Sequence, residues 1–204
     1  MKLLIFEGID GTGKTTLAVA TYNMLTKNGY KCISFREPGG TEAGERIRNI
    51  LATDKTISDM TRTLLLFAGR EEIYRYLDEH NDYDFVIFDR NHYSTYAYQT
   101  SDDKIKNIYN ILLNKKYYDL EECIVFLDID PLQAKQKRDK DKDAMELKGL
   151  NMQMTAYRNY QKIFKDKKNV LYLKTFDTLT NLDLISNYLN IGDDYNDHKS
   201  SSNR

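Results

Sequence analysis

Short apolar runs alternate with longer amphipathic stretches along this chain. The runs "KLLIFE" (2–7), "KCISFR" (31–36), "DFVIFD" (84–89), "ECIVFLDI" (122–129) and "NVLYLK" (169–174) predict strands. They are nearly continuously apolar, the pattern of parallel strands covered on both faces. Helical spacing follows Lys14 and recurs over about 42–51 and roughly 58–79, then near 104–114, 131–139, 146–167 and 179–190. Strands alternating with helices predict an α/β fold, a three-layer doubly wound sheet of about five parallel strands with helices on both faces. The polar stretch "DDYNDHKSSSNR" (193–204) has no apolar period, which predicts a disordered tail behind a single domain over 1–192.

Composition narrows the function classes. The 204 residues suit one domain with a sizeable core. Lys plus Arg is 30 against 31 Asp plus Glu, a formal net charge of −1, so nothing in the overall balance points to nucleic acid and any anion site must be local. No apolar run approaches the ~18 residues of a membrane span, and residues 1–9 lack the long apolar region of a signal peptide. The expectation is a cytoplasmic protein (host cytoplasm if the source is viral) with no nucleic-acid or membrane partner. Cys32 and Cys123, each inside an apolar run, read as buried free thiols.

The chemistry starts in "FEGIDGTGKTT" (6–16), where Gly8 to Thr15 fit G-x-x-x-x-G-K-[ST] between a predicted strand and a predicted helix. Gly8, Gly11 and Gly13 permit a tight turn and let backbone N–H groups approach phosphates, assisted by the positive end of the helix. The candidate nucleotide cradle is Gly8, Ile9, Asp10, Gly11, Thr12, Gly13, Lys14, Thr15 and Thr16. Lys14 can reach the β and γ phosphates, and the Thr15 hydroxyl can ligate Mg²⁺. Asp89, closing "FVIFD", is the candidate Walker-B partner for that metal. A GTPase does not fit, because Asn114-Lys115-Lys116-Tyr117 fails the guanine-reading N-K-x-D pattern and no D-x-x-G follows the third strand. Motors and helicases usually need a larger chain. What remains is phosphotransfer from ATP to a small molecule.

Three further segments speak to the acceptor: "FREPGGTEAGERIR" (35–48), "LLLFAGR" (64–70) and "DRNHYSTYAYQ" (89–99). With the cradle, they resemble the thymidylate kinase family over residues 2 to about 190. The most specific elements are R-E-P-G-G-T and D-R-x-x-x-S-T-x-A-Y-Q, and E-P-G-G without an arginine in the cradle is closer to the bacterial form. The resemblance implies a P-loop kinase fold with a short lid over about 135–147, phosphorylation of dTMP to dTDP by ATP with Mg²⁺ in dTTP synthesis, and a homodimer packed through long helices. It implies that Arg90 grips the acceptor phosphate, for which a planar guanidinium is suited. It likewise implies that Arg36, Glu37, Pro38 and Arg48 face the acceptor phosphate and sugar, with a cis Glu37–Pro38 bond, and that Asp10 contacts the 3′-hydroxyl. Base reading falls to Arg70, with two donors for a thymine carbonyl edge, and to Thr95 and Gln99. Tyr98 would pack under the deoxyribose and exclude a 2′-hydroxyl.

The chain also departs from that family's pattern. Leu66 stands where a phenylalanine usually stacks on thymine, four residues before Arg70, while Phe67 lies three before it on the same helix face and is a candidate to stack on the base in its place. Asn91 replaces a common aromatic residue, and no glycine follows Gln99. With no arginine in the cradle, the transition-state cation is sought in the lid segment "KQKRDKDK" (135–142), among Lys137, Arg138 and Lys140. Arg138 is favoured there because a guanidinium holds phosphoryl oxygens in two places. The D-R-x-E that often follows reads Asp143-Ala144-Met145-Glu146 here. Two alternatives stay open: a broader deoxynucleoside-monophosphate kinase, favoured by the Leu66/Phe67 shift, and a non-catalytic nucleotide-binding protein, opposed by Lys14, Thr15 and Asp89.

Overall fold

The computed structural model describes residues 1–100, 102–113, 122–138 and 145–191, and the side chains of 138 and 145–148 are left out of the description. In chain order the elements are β1 (Lys2–Glu7), α1 (Lys14–Lys27), β2 (Cys32–Arg36), α2 (Glu42–Thr53), α3 (Asp59–Glu79), β3 (Phe85–Asp89), α4 (His92–Gln99), α5 (Asp103–Leu112), β4 (Glu122–Leu127), α6 (Pro131–Arg138), α7 (Met145–Phe164), β5 (Val170–Leu173) and α8 (Thr178–Tyr188). The five strands form one all-parallel sheet in the order β2-β3-β1-β4-β5. Leu4, Ile5, Phe6, Val86, Ile87, Phe88, Ile124, Val125 and Phe126 of the three central strands have no exposed surface. That burial on both faces explains their unbroken apolar runs. Right-handed crossovers put α1, which leads from β1 to β2, on one face. The helices that lead back across the sheet lie on the other. Accordingly α1 packs against α8, and α4 against α7.

Side chains open several of these helices. The Thr41 hydroxyl accepts the Gly44 N–H, Ser58 accepts from Thr61, Asp102 from Lys104 and Asp177 from Thr180, satisfying N–H groups that a helix start leaves unpaired.

Two expectations need correction. No helical spacing is read in the sequence between Asp89 and about residue 104, yet helix α4 forms there from His92 to Gln99. Its buried side is mixed, with His92 and Thr95 inside together with Tyr93 and Ala97, so no apolar period announces it. The cysteines are free, as expected, but only half-buried, because Cys32 sits on the edge strand β2 and Cys123 near the outer end of β4. The tail over 193–204 and lid positions 139–144 lie outside the described residues.

Candidate active site

The parallel register brings Phe6, Asp89 and Arg36 to one level at the carboxyl ends of β1, β3 and β2. The segments 8–13, 37–41 and 90–91 leave the sheet there. In an open parallel sheet, the crevice where the strand order reverses is the usual place for a ligand.

The cradle is built from backbone. Gly13 precedes α1 with φ 91° and no side-chain cap, so the first N–H groups of that helix remain available to an anion. Gly8 has φ 145°, and a Cβ there would stand 2.9 Å from the Leu127 carbonyl oxygen. Lys14 is only 5 % exposed. Its Nζ donates to the Ile9 carbonyl at 2.6 Å and to Thr12 Oγ1 at 3.4 Å. Burial and the Arg90 charge pull the Lys14 amine down to about 7, against the opposing pull of Asp10, Asp89 and Glu7. A polyphosphate beside it would favour its cationic form.

A cavity of about 440 Å³ opens over this loop. Gly11, Gly13, Lys14, Thr15 and Thr16 line one side, and Arg36, Asp89 and Arg90 another. Gly8, Ile9 and Thr12 shape the loop from behind, with the Thr12 hydroxyl donating to the Ile9 carbonyl at 2.9 Å. Thr15 Oγ1 donates to Asp89 Oδ2 at 2.5 Å, so the two candidate metal ligands already touch. This pair is a hydroxyl and a carboxylate, hard oxygen donors that suit Mg²⁺. Among the described residues no three acidic, His or Cys side chains gather as a metal cage. The donor set therefore fits an ion that completes its shell with phosphate oxygens and water.

A second cavity, of about 800 Å³, adjoins the first and shares Asp10, Glu37, Arg48 and Arg90 with it. Every acceptor candidate lines this second cavity except Arg36, which faces the first, and Phe67. Phe67 is buried, edge-on to Tyr109 and 4.8 Å beneath the Arg70 guanidinium. Leu66 therefore forms the wall at this helix position. Arg70 Nε donates to both Glu37 oxygens at 2.9 and 3.0 Å, and Nη2 donates to Glu37 Oε2 at 2.5 Å and to Thr95 Oγ1 at 3.0 Å. The two-donor contact to a base edge is thus not supplied by Nε and Nη2, which the fold employs. Burial raises the Glu37 carboxyl, and Arg70 works against that rise. Arg36 pairs with Glu45, Arg48 Nη1 donates to the Pro38 carbonyl at 2.8 Å, and the Glu37–Pro38 bond is cis, as expected.

A family model described as thymidylate kinase matches residues 6–183. The chain belongs to the thymidylate kinase family. It is 33% identical over 178 residues to a thymidylate kinase of Finegoldia magna, covering 82% of this chain and 86% of that protein. It is also 33% identical over 177 residues to one of Francisella tularensis subsp. holarctica, covering 81% of each. A thymidylate kinase of Francisella tularensis subsp. novicida is 31% identical over 182 residues, 83% of this chain and 86% of the relative.

In this family member the lid candidates divide. Lys137 lines the cradle cavity while its Nζ rests 4.1 Å from the centre of the Phe176 ring. The Arg138 side chain and all of Lys140 lie outside the described residues.

Sequence reasoning missed several residues. Gln153 on α7 crosses to the cradle: its Oε1 accepts the Asp10 N–H at 3.0 Å and the Tyr98 hydroxyl at 2.8 Å, and its Nε2 donates to Asp10 Oδ2 at 2.8 Å. Glu7, Ser94 and Tyr160 form a second cluster beneath Arg90. Glu7 carried one readable signal, a charged residue ending a strand predicted to be buried. Gln153 and Tyr160 carried none, being unremarkable on a long amphipathic helix.

Proposed function

We propose that this chain transfers the γ-phosphoryl group of ATP to the 5′-phosphate of dTMP, giving dTDP on the way to dTTP. The observation carrying this reading is that Arg90 walls both cavities. A nucleotide polyphosphate on the cradle and a monophosphate in the larger cavity then meet at one guanidinium, whose fork suits a shared phosphoryl group.

The acceptor is already an anion, so little base catalysis is needed; positioning and charge neutralisation suffice. Lys14 holds the β and γ phosphates. Arg90 orients the acceptor phosphate, with Arg36, Arg48, Glu37 and Pro38 around it. Asp10 meets the 3′-hydroxyl, Tyr98 packs under the deoxyribose, and Arg70, Thr95, Gln99 and Leu66 enclose the base. Thr15 and Asp89 would hold Mg²⁺, which when bound neutralises charge on the phosphate oxygens. Lys137, with Arg138 and Lys140, supplies the lid cation, and lid closure excludes water. The chain acts as one domain with a lid, as a homodimer packed through its long helices, in the cytoplasm; no described helix is long and apolar enough to cross a membrane.

A coupled assay with dTMP, dUMP, dCMP and dGMP tests the reading, and fastest turnover of dTMP is expected. Equal or faster turnover of another monophosphate overturns the base assignment. ATP binding without turnover of any acceptor overturns the enzyme assignment.

A further inference from the structure

Glu7 ends β1 as a carboxylate with no exposed surface, directly before the cradle. Such a charge is costly to bury unless it is fully hydrogen-bonded. Glu7 has four donors. Oε1 accepts the Asn91 N–H at 2.8 Å and the Ser94 N–H at 3.2 Å. Oε2 accepts the Ser94 hydroxyl at 2.7 Å and the Tyr160 hydroxyl at 2.8 Å. The two N–H groups open helix α4, so one role is an anionic cap supplied by a distant strand.

A cap needs only the first two contacts. The other two concern Arg90. Burial raises the Glu7 carboxyl, and Arg90 and these hydrogen bonds oppose that rise. In its ionised form it only accepts, so Ser94 and Tyr160, whose oxygens also lie 2.7 Å from each other, turn their protons toward it. Their lone pairs are then left for a donor, and Arg90 Nη1 supplies it, 2.9 Å from Ser94 Oγ and 3.5 Å from Tyr160 Oη. The same Nη1 donates to the Gly8 carbonyl at 3.0 Å. Nη2 is turned to Asp10, on the cavity side. The backbone of Arg90 is also unusual. Its φ is 71°, a left-handed conformation that costs a bulky residue about 1–3 kcal/mol. That conformation is pinned by the Arg90 N–H on the Phe6 carbonyl at 3.0 Å and, one residue on, by the Asn91 N–H on Glu7.

We propose that Glu7 is a positioning residue for phosphoryl transfer: through Ser94, Tyr160 and the Asn91 N–H it fixes the backbone and the guanidinium of Arg90 in the orientation that grips the acceptor phosphate. This deepens the function proposed above and rests on it. Glu7 touches neither substrate.

Glu7→Gln is the informative variant, because it keeps shape and volume. With its oxygen on the two N–H groups, its NH₂ donates to the hydroxyls and reverses their polarity. Loss of one charged hydrogen bond's worth of alignment predicts a fall of about 10- to 100-fold in kcat/KM for dTMP. The loss should appear in kcat and in KM for dTMP, while ATP affinity by calorimetry stays within about threefold, because the cradle's N–H groups are untouched. The decisive measurement is a double-mutant cycle with Arg90→Ala. If Glu7 acts through Arg90, Glu7→Gln costs nothing further once that guanidinium is gone. Losses that multiply, or a Glu7→Gln enzyme with normal kcat/KM, overturn the proposal. Should Glu7→Gln fail to fold, Ser94→Ala and Tyr160→Phe enter the same cycle and must show the same non-additivity. A wild-type protein that phosphorylates no monophosphate rejects the proposed function and this inference together; an active wild type with multiplying losses rejects this inference alone.

Discussion

The two halves of the site are built on different principles. The cradle holds its shape through contacts between sequence neighbours, such as Lys14 and Thr12 on the Ile9 carbonyl. The larger cavity is held by pairs far apart in sequence: Arg70 with Glu37 and with Thr95, and Tyr98 with Gln153, while the cradle loop itself is tied over long range through the Asp10 side chain, to Gln153 and Arg90. An anion nest needs only backbone N–H groups, which a short glycine-rich segment can present by itself. A selective cavity needs side chains at fixed positions, and only tertiary packing fixes them. In the first region a lesion should cost turnover; in the second it should cost the fold.

The largest effect is expected in the acceptor half. Glu37→Ala leaves the Arg70 guanidinium buried without its carboxylate, and removing one partner of a buried pair costs about 3–5 kcal/mol. Urea denaturation should show that loss; an unchanged midpoint would mean that the cavity is not held by this pair. In the donor half, Lys14→Ala should lower kcat by about 10²–10³, the loss typical of deleting one charge-stabilising group. Its unfolding midpoint should not fall, since a buried amine is being removed. A stability loss matching that of Glu37→Ala would erase the contrast between the halves.

A smaller effect separates them by pH. His92 opens α4 behind the larger cavity's lining, buried beside Tyr109 and Glu122. Its imidazole is held down to about 4, chiefly by burial, with Arg70 and Lys167 adding to the fall and Glu122 opposing it. An imidazole in the unfolded chain titrates near 6.5. Between about pH 6.5 and 4, the unfolded chain therefore binds a proton that the fold refuses. This contribution is fully present above about pH 6.5 and is lost as pH falls toward 4, up to roughly 3 kcal/mol. His92→Gln should flatten the acid limb of stability against pH relative to wild type. Parallel curves for the two proteins would refute the assignment.

Legibility in the sequence follows the same division. The strands were legible because burial on both faces leaves nearly unbroken apolar runs, and the cradle because its glycines and Lys14 are contiguous. Helix α4 was not, since its inward side carries His92 and Thr95 beside Tyr93 and Ala97. Leu66 and Phe67 could not be ordered either. They are consecutive on α3, and the rotation of that helix, set by Phe67 docking on Tyr109, decides which one faces the cavity. Glu7 and Gln153 acquire meaning only from partners far away in sequence, 84 residues for Glu7 and Asn91, 55 and 143 for Gln153 with Tyr98 and Asp10.

The level row of Phe6, Asp89 and Arg36 works as a ruler. Exchanging one aliphatic for another within β3 leaves its graduations in place. Deleting a single residue there would slide Asp89 about 3.3 Å along the sheet and turn it to the opposite face. Thr15 would lose its partner although every motif remained intact. For this protein, insertions and deletions in the central strands are a harsher class of genetic change than most substitutions, and strand length is the quantity to preserve when its sequence is redesigned.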